Sequence, residues 1–573
     1  MCGFLVSIGT ESLRIDPAIF SKALSLQIHR GPDDTRFSEF PNGRMGFNRL
    51  SIIDLSAKAH QPKKHGPITV VMNGEIYNHK ELRESLKAKG SVFESSGDAE
   101  VLAALIHEVG IADACRQARG MWTMVAYDAG SGRWFVSRDR LGIKPLWMAR
   151  VGKHLAFSSE IKSLIALFPE LKVVNRKTLA GYLKDGHLDN SEETFFENIR
   201  SFPAGHYAEL DQDLKLEAKV FWSLSADGNE KANPERLKSL MEETVALHMR
   251  SDVPVGLALS GGLDSTILAY FAKNNLDLQT YSVTPPETPD ESQQINQTVK
   301  LWKLKHRYLP CEEFESLQWI DFLLQKMDQP FKAAQTLYQF AIRKQAATDG
   351  VKVFLVGDGA DEVYGGYTKC VIPYLVDRIR GREWIEWLRA AWGFRTFSGV
   401  SWRALLLTSW KMAGRQDEKA VGLKDFLMHR LLLEPIPYYL RIEDGISMGV
   451  SLETRVPFLD HLLVENAMRC ASVEFMRGGR NKVMLRNAMD SVLPEHVKKN
   501  PLKFQRPGSS KRIVFNVLWQ EAEALFSEML HQGKKIAPEI SSKAFLEDRE
   551  KGMNSSFWMR AFLALRWMKV WGV

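Results

Sequence analysis

The second residue of the chain has the chemistry of a nucleophile. The sequence begins Met1-Cys2-Gly3, so removal of the initiator methionine leaves Cys2 with a free α-amino group. The thiolate is the reactive form of cysteine, and an α-amino group, with a pKa of about 7.7–8.0, can act as its general base. Cysteine also occurs at this position by chance. The prediction of an N-terminal nucleophile therefore depends on the polar segments that follow.

Side chains that could bind a free amino acid follow within the first hundred positions. Arg49 can bind an α-carboxylate in bidentate fashion, and Glu75 and Asp98 can receive an α-ammonium group. The Asn73 side chain and the Gly74 N–H can form an oxyanion hole for a tetrahedral intermediate that leads to a thioester. Together these residues predict a pocket in which the N-terminal thiol attacks the side-chain amide of a free amino acid.

A glycine-rich segment in the second half of the chain is typical of a phosphate-binding loop. The apolar run 255–259 predicts a buried strand and leads directly into Ser260-Gly261-Gly262-Leu263-Asp264-Ser265. Glycines let the backbone approach an anion, and the start of the next helix offers free N–H groups. The two serines add hydroxyl donors, and Asp264 can hold a magnesium ion. The segment is not a GxxxxGK[ST] loop, so transfer of a γ-phosphate is not implied.

A second acidic loop follows a later apolar strand. It reads Gly357-Asp358-Gly359-Ala360-Asp361-Glu362. Ligands of doubly wound sheets bind at the carboxyl ends of the strands, where we expect both Asp264 and Asp361. Two carboxylates that face a pyrophosphate need a cation between them, so the sequence predicts Mg²⁺ held by Asp264 and Asp361.

The distribution of apolar residues predicts two regions of different architecture. The first two hundred residues predict strands with interspersed helices, and the strand 68–72 is expected to stop at an Asn73-Gly74 turn. A polar stretch at 223–234 is interpreted as the linker. Beyond it, short apolar strands alternate with helices, which favours a parallel sheet with helices on both faces. From Tyr367 onwards the pattern is mostly helical. The remaining expected elements are helices at 80–89 and 99–109 and strands at 134–137, 154–157, 255–259, 280–283 and 351–356.

Composition indicates a globular enzyme of several domains. The chain has 573 residues, of which 45% are hydrophobic and 25% charged, and a formal net charge of +7. This mild charge permits anionic ligands but does not demand nucleic acid, and no nucleic-acid partner is predicted. The five scattered cysteines favour a reducing compartment over a disulfide framework. With no signal-peptide pattern and no apolar run of about 20 residues, a cytoplasmic location is expected.

The two halves together resemble a known family. The N-terminal segments resemble the class II, N-terminal-nucleophile glutamine amidotransferases, and the Ser260–Ser265 loop resembles that of enzymes that split ATP into AMP and pyrophosphate. Their fusion resembles glutamine-hydrolysing asparagine synthetase. Further matching segments are His29–Asp33, Arg138–Leu146, Ser158–Lys162, Ser447–Asp460 and Lys482–Arg486.

The resemblance implies a fold and a domain plan. The expected fold is an α+β N-terminal-nucleophile (αββα) glutaminase domain at 1–215. An α/β doubly wound ATP-pyrophosphatase-type domain with a helical C-terminal part is expected at 235–573. A homodimer is a further expectation.

The family also implies the chemistry. Cys2 hydrolyses glutamine, ammonia crosses an internal tunnel, and a carboxylate attacks the α-phosphorus of ATP before ammonia displaces AMP. Asp358 is placed where the ammonia proton is handled. The ATP contacts that this implies are Leu259, Ser260, Gly261, Gly262, Asp264, Ser265, Val283, Gly357 and Lys503.

Two loops depart from the family pattern. The acidic loop reads Gly-Asp-Gly where asparagine synthetases carry Gly-Glu-Gly, so Asp358 is one methylene shorter. The basic loop after Pro494 is one residue short, which leaves open whether Lys499 or Lys503 reaches the polyphosphate; Lys503 is the prediction.

A third departure is an insertion at 378–415 that is rich in tryptophan and basic residues. Its favoured interpretation is a helical subdomain that packs its aromatic side chains inward. The alternative is a segment that contacts a membrane surface.

Three hypotheses for the function remain open. The first is asparagine synthesis with aspartate as the acceptor, which is favoured because it is the more frequent activity. The three departures favour another carboxylate, such as a sugar uronic acid in surface-polysaccharide assembly. A non-catalytic sensor or scaffold is disfavoured because Cys2 and the Ser260–Ser265 loop are intact.

Overall fold

The computed structural model describes most of the chain. The described residues are 2–9, 15–211, 213–275, 277–283, 291–310, 314, 316–333, 335–414, 421–498, 524 and 556–573.

The first region is built from twelve described strands and five helices. They are β1 (Gly3–Ile8), α1 (Pro17–Ser25), β2 (Asp34–Phe40), β3 (Gly43–Arg49), β4 (Lys63–His65), β5 (Ile68–Ile76), α2 (His79–Ala88), α3 (Asp98–Gln117), β6 (Gly120–Asp128), β7 (Arg133–Arg138), β8 (Trp147–Val151), β9 (His154–Ser158), α4 (Ile161–Leu167), α5 (Arg176–Asp185), β10 (Ile199–Ser201), β11 (His206–Leu210) and β12 (Lys219–Val220).

These elements form four layers. One antiparallel sheet has the strand order β10-β8-β9-β1-β3-β2, and the other has the order β12-β11-β7-β6-β5-β4. The sheets contact each other through β1, β3 and β5, while α1 and α4 pack outside the first sheet and α3 packs on β5 of the second. The central strands β1 and β6 are buried on both faces and read as runs of apolar residues, whereas the edge strand β2 is polar and largely exposed. This is the expected αββα arrangement.

The expected turn at Asn73-Gly74 is wrong. Both residues lie inside β5, where Asn73 pairs with Thr123 and Gly74 with Trp122 of β6. A Cβ atom on Gly74 would lie 2.0 Å from the Met121 carbonyl oxygen, and its φ is +150°. The glycine therefore permits a close approach of two strands rather than a chain reversal.

The second region contains a five-stranded parallel sheet. Its elements are α6 (Pro234–His248), β13 (Val255–Ala258), α7 (Leu263–Ala272), β14 (Gln279–Val283), α8 (Ser292–Trp302), β15 (Lys305–Leu309), α9 (Leu317–Met327), α10 (Gln335–Thr348), β16 (Val353–Leu355) and β17 (Glu453–Arg455). The strand order is β15-β14-β13-β16-β17. The order reverses between β13 and β16, as in a doubly wound fold, so their carboxyl ends flank the crevice in which such folds bind ligands.

The remainder of the second region is mostly helical. Its elements are α11 (Ala360–Tyr364), α12 (Val371–Arg380), α13 (Trp384–Gly393), α14 (Arg395–Ser398), α15 (Trp402–Ala413), α16 (Leu423–Leu432), α17 (Ile436–Met448), α18 (His461–Arg469), β18 (Met476–Arg477), β19 (Arg480–Asn481), α19 (Val483–Met489), α20 (Glu495–Lys498) and α21 (Ser556–Trp571). No helix in the described ranges combines the length and apolarity that crossing a bilayer requires.

Buried charges join the two regions. Arg30 Nη1 and Nη2 donate to the Asp444 carboxylate at 2.8 and 3.1 Å, and both side chains are less than 5% exposed. Arg119 Nε donates to Asp460 at 2.8 Å. The final helix, α21, packs on α5 of the first region and α9 of the second. The two regions therefore share one interface that is ionic as well as apolar.

We expect Asp444→Asn to destabilise the protein by up to about 3–5 kcal/mol, because it removes the nearer and bidentate carboxylate partner of the buried Arg30 guanidinium and leaves only Glu160 at 3.3 Å. Chemical denaturation followed by tryptophan fluorescence measures the change. The control is Lys87→Ala, which breaks the exposed pair between Lys87 and Glu84 and should change stability by less than about 1 kcal/mol. Equal effects of the two substitutions would contradict a structural role for the Arg30–Asp444 pair.

Candidate active sites

The Cys2 thiol lies at the inner end of a small pocket between the two sheets of the first region. Cys2 is 8% exposed. The Leu50 N–H donates to its sulfur at 3.4 Å, and Arg30 Nε donates to its carbonyl oxygen at 3.1 Å. Burial raises the pKa of the thiol, so a neighbouring base is needed to form the thiolate at neutral pH.

The strand β5 brings Asn73 and Gly74 to Cys2. The Asn73 Oδ1 atom accepts a hydrogen bond from the Cys2 backbone N–H at 3.2 Å. The Asn73 Nδ2 atom is buried and has no hydrogen-bond partner among the described residues. A buried, unpaired donor is energetically costly and is typical of a site that a substrate completes. The Asn73 side chain thus lies beside Cys2 with an amide donor that is free within the described part of the chain, which is the kind of group that can bind an oxyanion.

The predicted amino-acid ligands surround the same pocket. Arg49, Glu75 and Asp98 line it together with Cys2 and Gly74. Arg49 is held by the Ser56 carbonyl at 2.9 Å and by the Asp54 carbonyl, and Asp98 accepts from the Ile76 N–H at 2.9 Å. The lining also includes Lys63 and Glu100, so charged groups of both signs face a cavity that a zwitterionic amino acid would complement in charge.

The sequence interpretation assigned no role to two residues of the second region that lie beside the pocket residue Glu75. Arg455 Nη2 lies 3.8 Å from Glu75 Oε1, and Arg455 Nε lies 2.6 Å from Glu453 Oε1. Glu453 and Arg455 are both 0% exposed. Burial, with Asp98 and Glu453 nearby, raises the pKa of Glu75. Their segment matched the family pattern, but only the folded chain shows that strand β17 reaches the first pocket.

The second pocket is a cavity of about 570 Å³ at the carboxyl ends of β13, β14 and β16. It lies where the order of the parallel strands reverses. Its lining includes every predicted nucleotide contact among the described residues, namely Leu259, Ser260, Gly261, Gly262, Asp264, Ser265, Val283 and Gly357. Lys503 and Lys499 lie outside the described residues.

Hydrogen bonds fix the glycine-rich loop at the mouth of this cavity. The Ser260 N–H donates to Ser265 Oγ at 3.1 Å, and the two hydroxyl oxygens are 3.0 Å apart. Gly261 has φ +69°, a conformation that favours glycine. Helix α7 begins at Leu263, so its free N–H groups point towards the cavity, as anion binding requires.

A lysine lies between the two carboxylates that the sequence assigned to magnesium. Lys482 Nζ is 2.7 Å from both oxygens of Asp264 and 2.7 Å from Asp361 Oδ1. Its side chain is 5% exposed, so the three charges form a nearly buried cluster. Lys482 therefore supplies a cation at the position that the sequence analysis reserved for a metal. The family-like segment 482–486 contained this residue, but its spacing alone did not indicate the partner.

Two acidic side chains beside the cavity have shifted proton affinities. Burial, together with Asp361, raises the pKa of Glu362 to about 7, although Glu362 accepts a hydrogen bond from the Tyr367 hydroxyl at 2.7 Å. Burial also raises the pKa of Glu443 to about 7; Arg343 opposes this shift and Asp358 adds to it. Asp358 lines the cavity. Two carboxyl groups with raised pKa values thus lie at or near the second pocket: Glu362 lines it, and Glu443 interacts with Asp358 on its wall.

Comparison with known proteins identifies the class. A model of the glutamine amidotransferase domain matches residues 1–222, and a model of the asparagine synthase family matches residues 236–572. The chain thus joins an N-terminal-nucleophile glutamine amidotransferase domain to a synthetase domain with a doubly wound sheet. It belongs to the asparagine synthase family.

Several curated proteins align over much of the chain. Asparagine synthetase [glutamine-hydrolyzing] 2 of Bacillus subtilis is 30% identical over 81% of this chain and 66% of its own length. A putative asparagine synthetase [glutamine-hydrolyzing] of Mycobacterium bovis is 28% identical over 87% of this chain and 86% of its own length. Asparagine synthetase B of Escherichia coli is 29% identical over 60% of each chain.

The raised pKa of Glu362 predicts a pH effect on stability. In the folded protein, the Glu362 carboxyl group keeps its proton up to about pH 7, whereas the ordinary pKa of a glutamate carboxyl group is 4.5. The contribution of Glu362 to stability is therefore complete below about pH 4.5 and is lost as the pH rises through about 7. Relative to Glu362→Gln, the wild type should lose up to about 3 kcal/mol between pH 5 and pH 8. Melting temperatures of both proteins at the two pH values measure this. A constant difference would contradict the shifted pKa.

Proposed function

We propose that this protein is a glutamine-dependent amidotransferase. It hydrolyses glutamine at Cys2, passes ammonia between its domains, and uses ATP, split to AMP and pyrophosphate, to amidate a carboxylate. The proposed acceptor is aspartate and the product asparagine. The observation that carries the proposal is the pairing, in one chain, of a pocket built around Cys2 with a second cavity at the Ser260–Ser265 loop.

In the first pocket, the α-amino group of Cys2 takes the thiol proton and the thiolate attacks the glutamine side-chain amide. The Asn73 amide and the Gly74 N–H bind the oxyanion, and release of ammonia leaves a thioester that water hydrolyses to glutamate. Arg49 binds the substrate carboxylate, while Glu75 and Asp98 bind its ammonium group. Burial of these groups in one small cavity, together with the unpaired Asn73 Nδ2, supports these roles.

In the second pocket, the Ser260–Ser265 loop and the first turn of α7 bind the polyphosphate of ATP, with Val283 beside the base. The acceptor carboxylate attacks the α-phosphorus, which gives an acyl-adenylate and pyrophosphate. Lys482 stabilises the charge that develops on the phosphates. Asp358 accepts a proton from ammonia as it displaces AMP, and its position on the wall of the cavity supports this role. The role of Lys503 in binding the polyphosphate stays a prediction.

Asp264 and Asp361 would hold Mg²⁺ with the nucleotide. Both are hard oxygen donors at the cavity wall. Among the described residues there is no group of three His, Cys, Asp or Glu side chains that could hold a metal; the two carboxylates would hold the ion together with the bound nucleotide. When bound, Mg²⁺ would neutralise phosphate charge. Lys482 also contacts Asp264 and Asp361.

The proposed route for ammonia follows the interface between the regions. Arg30 contacts both the Cys2 carbonyl and Asp444 on α17. The next residue back on this helix, Glu443, interacts electrostatically with Asp358 in the second cavity. A closed route keeps ammonia away from water, in which it would be protonated to unreactive ammonium. We place the reaction in the cytoplasm, where a reducing environment preserves free thiols; a homodimer stays a prediction.

Pyrophosphate release with ATP, Mg²⁺ and glutamine, with and without aspartate, tests the proposal, with the product identified by mass. We expect aspartate-dependent pyrophosphate and asparagine. In Cys2→Ala, activity with glutamine should vanish while activity with ammonium salts is retained, since the second pocket is untouched. Cys470→Ser, a control far along the chain, should keep both activities. Glutaminase activity without aspartate-dependent pyrophosphate would assign the acceptor to another carboxylate, and sugar uronic acids would be assayed next.

Lys482→Met should lower the rate of pyrophosphate release by about 10²–10³-fold, because it removes a cation from the developing charge. Glutamate release from glutamine should stay within about twofold, because Lys482 lies outside the Cys2 pocket. The matched control is Lys369→Met, which removes an exposed lysine. An equal loss of both activities would contradict separate chemistry in the two pockets.

A further inference from the structure

The insertion between the Tyr367 loop and α16 forms a helical subdomain whose tryptophans are only partly buried. Helices α12, α13 and α15 pack against one another. Ala390, Ala391, Phe394 and Leu405 fill the interior, and the Trp387 indole donates to Ser409 Oγ at 3.0 Å. The inward packing that the sequence favoured therefore holds for part of the aromatic set.

The other side of the subdomain exposes a continuous apolar surface. Trp384, Leu388 and Trp392 recur every fourth residue of α13, so they share one face of the helix. On α15, Leu407 and Trp410 lie on a common face, and the Trp384 and Trp410 ring centroids are 5.8 Å apart. The tryptophan surface, as it is called below, consists of Trp384, Ile385, Leu388, Trp392, Val400, Leu407 and Trp410. Its three tryptophans are 43–54% exposed.

This surface is framed by positive charge. The segment 380–414 contains the exposed basic residues Arg380, Arg382, Arg389, Arg395, Arg403 and Lys411. Its two acidic residues are engaged elsewhere: Glu383 pairs with Arg378, and Glu386 accepts from the Tyr374 hydroxyl. None of the six exposed cations forms an ion pair with a carboxylate of the described chain. Arg395 lies 4.0 Å from the centre of the Trp392 ring, so charge and aromatic surface are adjacent.

We propose that the tryptophan surface docks on an anionic phospholipid bilayer. Indole rings favour the interface between headgroups and acyl chains, and arginine and lysine beside them attract acidic lipids. A contiguous exposed apolar surface marks an interaction site rather than ordinary protein surface. Two copies of this surface placed face to face would oppose cations with cations, so charge favours an anionic partner over a second copy of the chain.

A residue next to the tryptophan surface contacts the hairpin that leads to Lys482 in the second pocket. Gly393 at the end of α13 touches Gly479, and a Cβ atom on Gly393 would lie 2.7 Å from the Gly479 nitrogen. Gly479 lies in the turn between β18 and β19, two residues before Asn481 and three before Lys482, which binds Asp264 and Asp361. Docking would therefore place the synthetase pocket beside the bilayer, without a membrane-spanning segment.

Co-sedimentation of the full-length protein with vesicles tests the proposal. The protein should pellet with phosphatidylcholine–phosphatidylglycerol vesicles and not with pure phosphatidylcholine vesicles, and added salt should weaken the binding. Arg389→Gln/Arg403→Gln/Lys411→Gln should lower the affinity by on the order of 100-fold, at about fivefold per charge. Ile385→Ser/Leu388→Ser should also lower it, through loss of apolar contact.

A charge-matched control separates the site from bulk electrostatics. Lys22→Gln/Lys80→Gln/Lys153→Gln removes three exposed charges from the first region and should bind as the wild type does. Glutamate release from glutamine checks that every variant is folded. Equal weakening by both triple variants, or no preference for anionic vesicles, would overturn the proposal. So would a dimer in solution that Ile385→Ser/Leu388→Ser converts to monomer while vesicle binding is absent, since this assigns the surface to self-association.

Discussion

The buried ionic interface between the two regions is the constraint on which the rest of the structure depends. Arg30, Glu453 and Arg455 are all 1% exposed or less. A charge held away from water is tolerated only when it is paired and hydrogen-bonded. Arg30 meets this requirement through Asp444 across the interface. Arg455 meets it through Glu453 and the carbonyls of His248 and Arg250 at 2.6 Å in its own region, and it also lies 3.8 Å from Glu75 of the first region. The pairs that cross the interface, Arg30–Asp444 and Arg119–Asp460, form in only one relative placement of the two domains.

This placement makes each pocket depend on both regions. Strand β17 pairs with β16, whose carboxyl end leads to Asp358, and the same strand presents Arg455 to Glu75. Helix α17 carries Asp444, which binds Arg30 behind Cys2, next to Glu443, which interacts with Asp358. A shift of β17 or α17 would disturb both sites at once. Strand β17 and helix α17 thus connect the two sites between which ammonia is proposed to pass.

In the second cavity, clustered negative charge is offset by a lysine of the same region. Asp264 and Asp361 approach each other because the sheet brings the ends of β13 and β16 together. Repulsion between the carboxylates is offset by Lys482, which adopts a left-handed conformation with φ +51° at the start of α19. A protein ammonium group therefore preorganises the carboxylates. Gly393, the residue after Trp392 of the tryptophan surface, contacts Gly479 in the hairpin that precedes this lysine.

Much of the fold could be predicted because the periodicity of apolar residues is local. The expected strands at 134–137 and 154–157 correspond to β7 and β9, and the alternation after the linker correctly predicted a parallel sheet. Strands β15 and β17 were not predicted. β15 reads Lys-His-Arg-Tyr-Leu and is an edge strand, while β17 reads Glu-Thr-Arg. The polar residues of β17 are buried because residues distant in the chain, such as His248, Arg250 and Glu75, lie beside them, and no local pattern contains that information.

The sequence by itself determined the family and the order of the two domains, and it predicted a set of reactive residues, because the matching segments are contiguous motifs with fixed local geometry. Only the tertiary structure decided that Asn73 and Gly74 continue a strand, that Lys482 lies between Asp264 and Asp361, and that Arg455 reaches the glutaminase pocket. The tertiary structure also decided which tryptophans of the insertion face solvent. The physical reason is that pairing of buried charges and burial of aromatic faces are set by contacts between residues far apart in the chain.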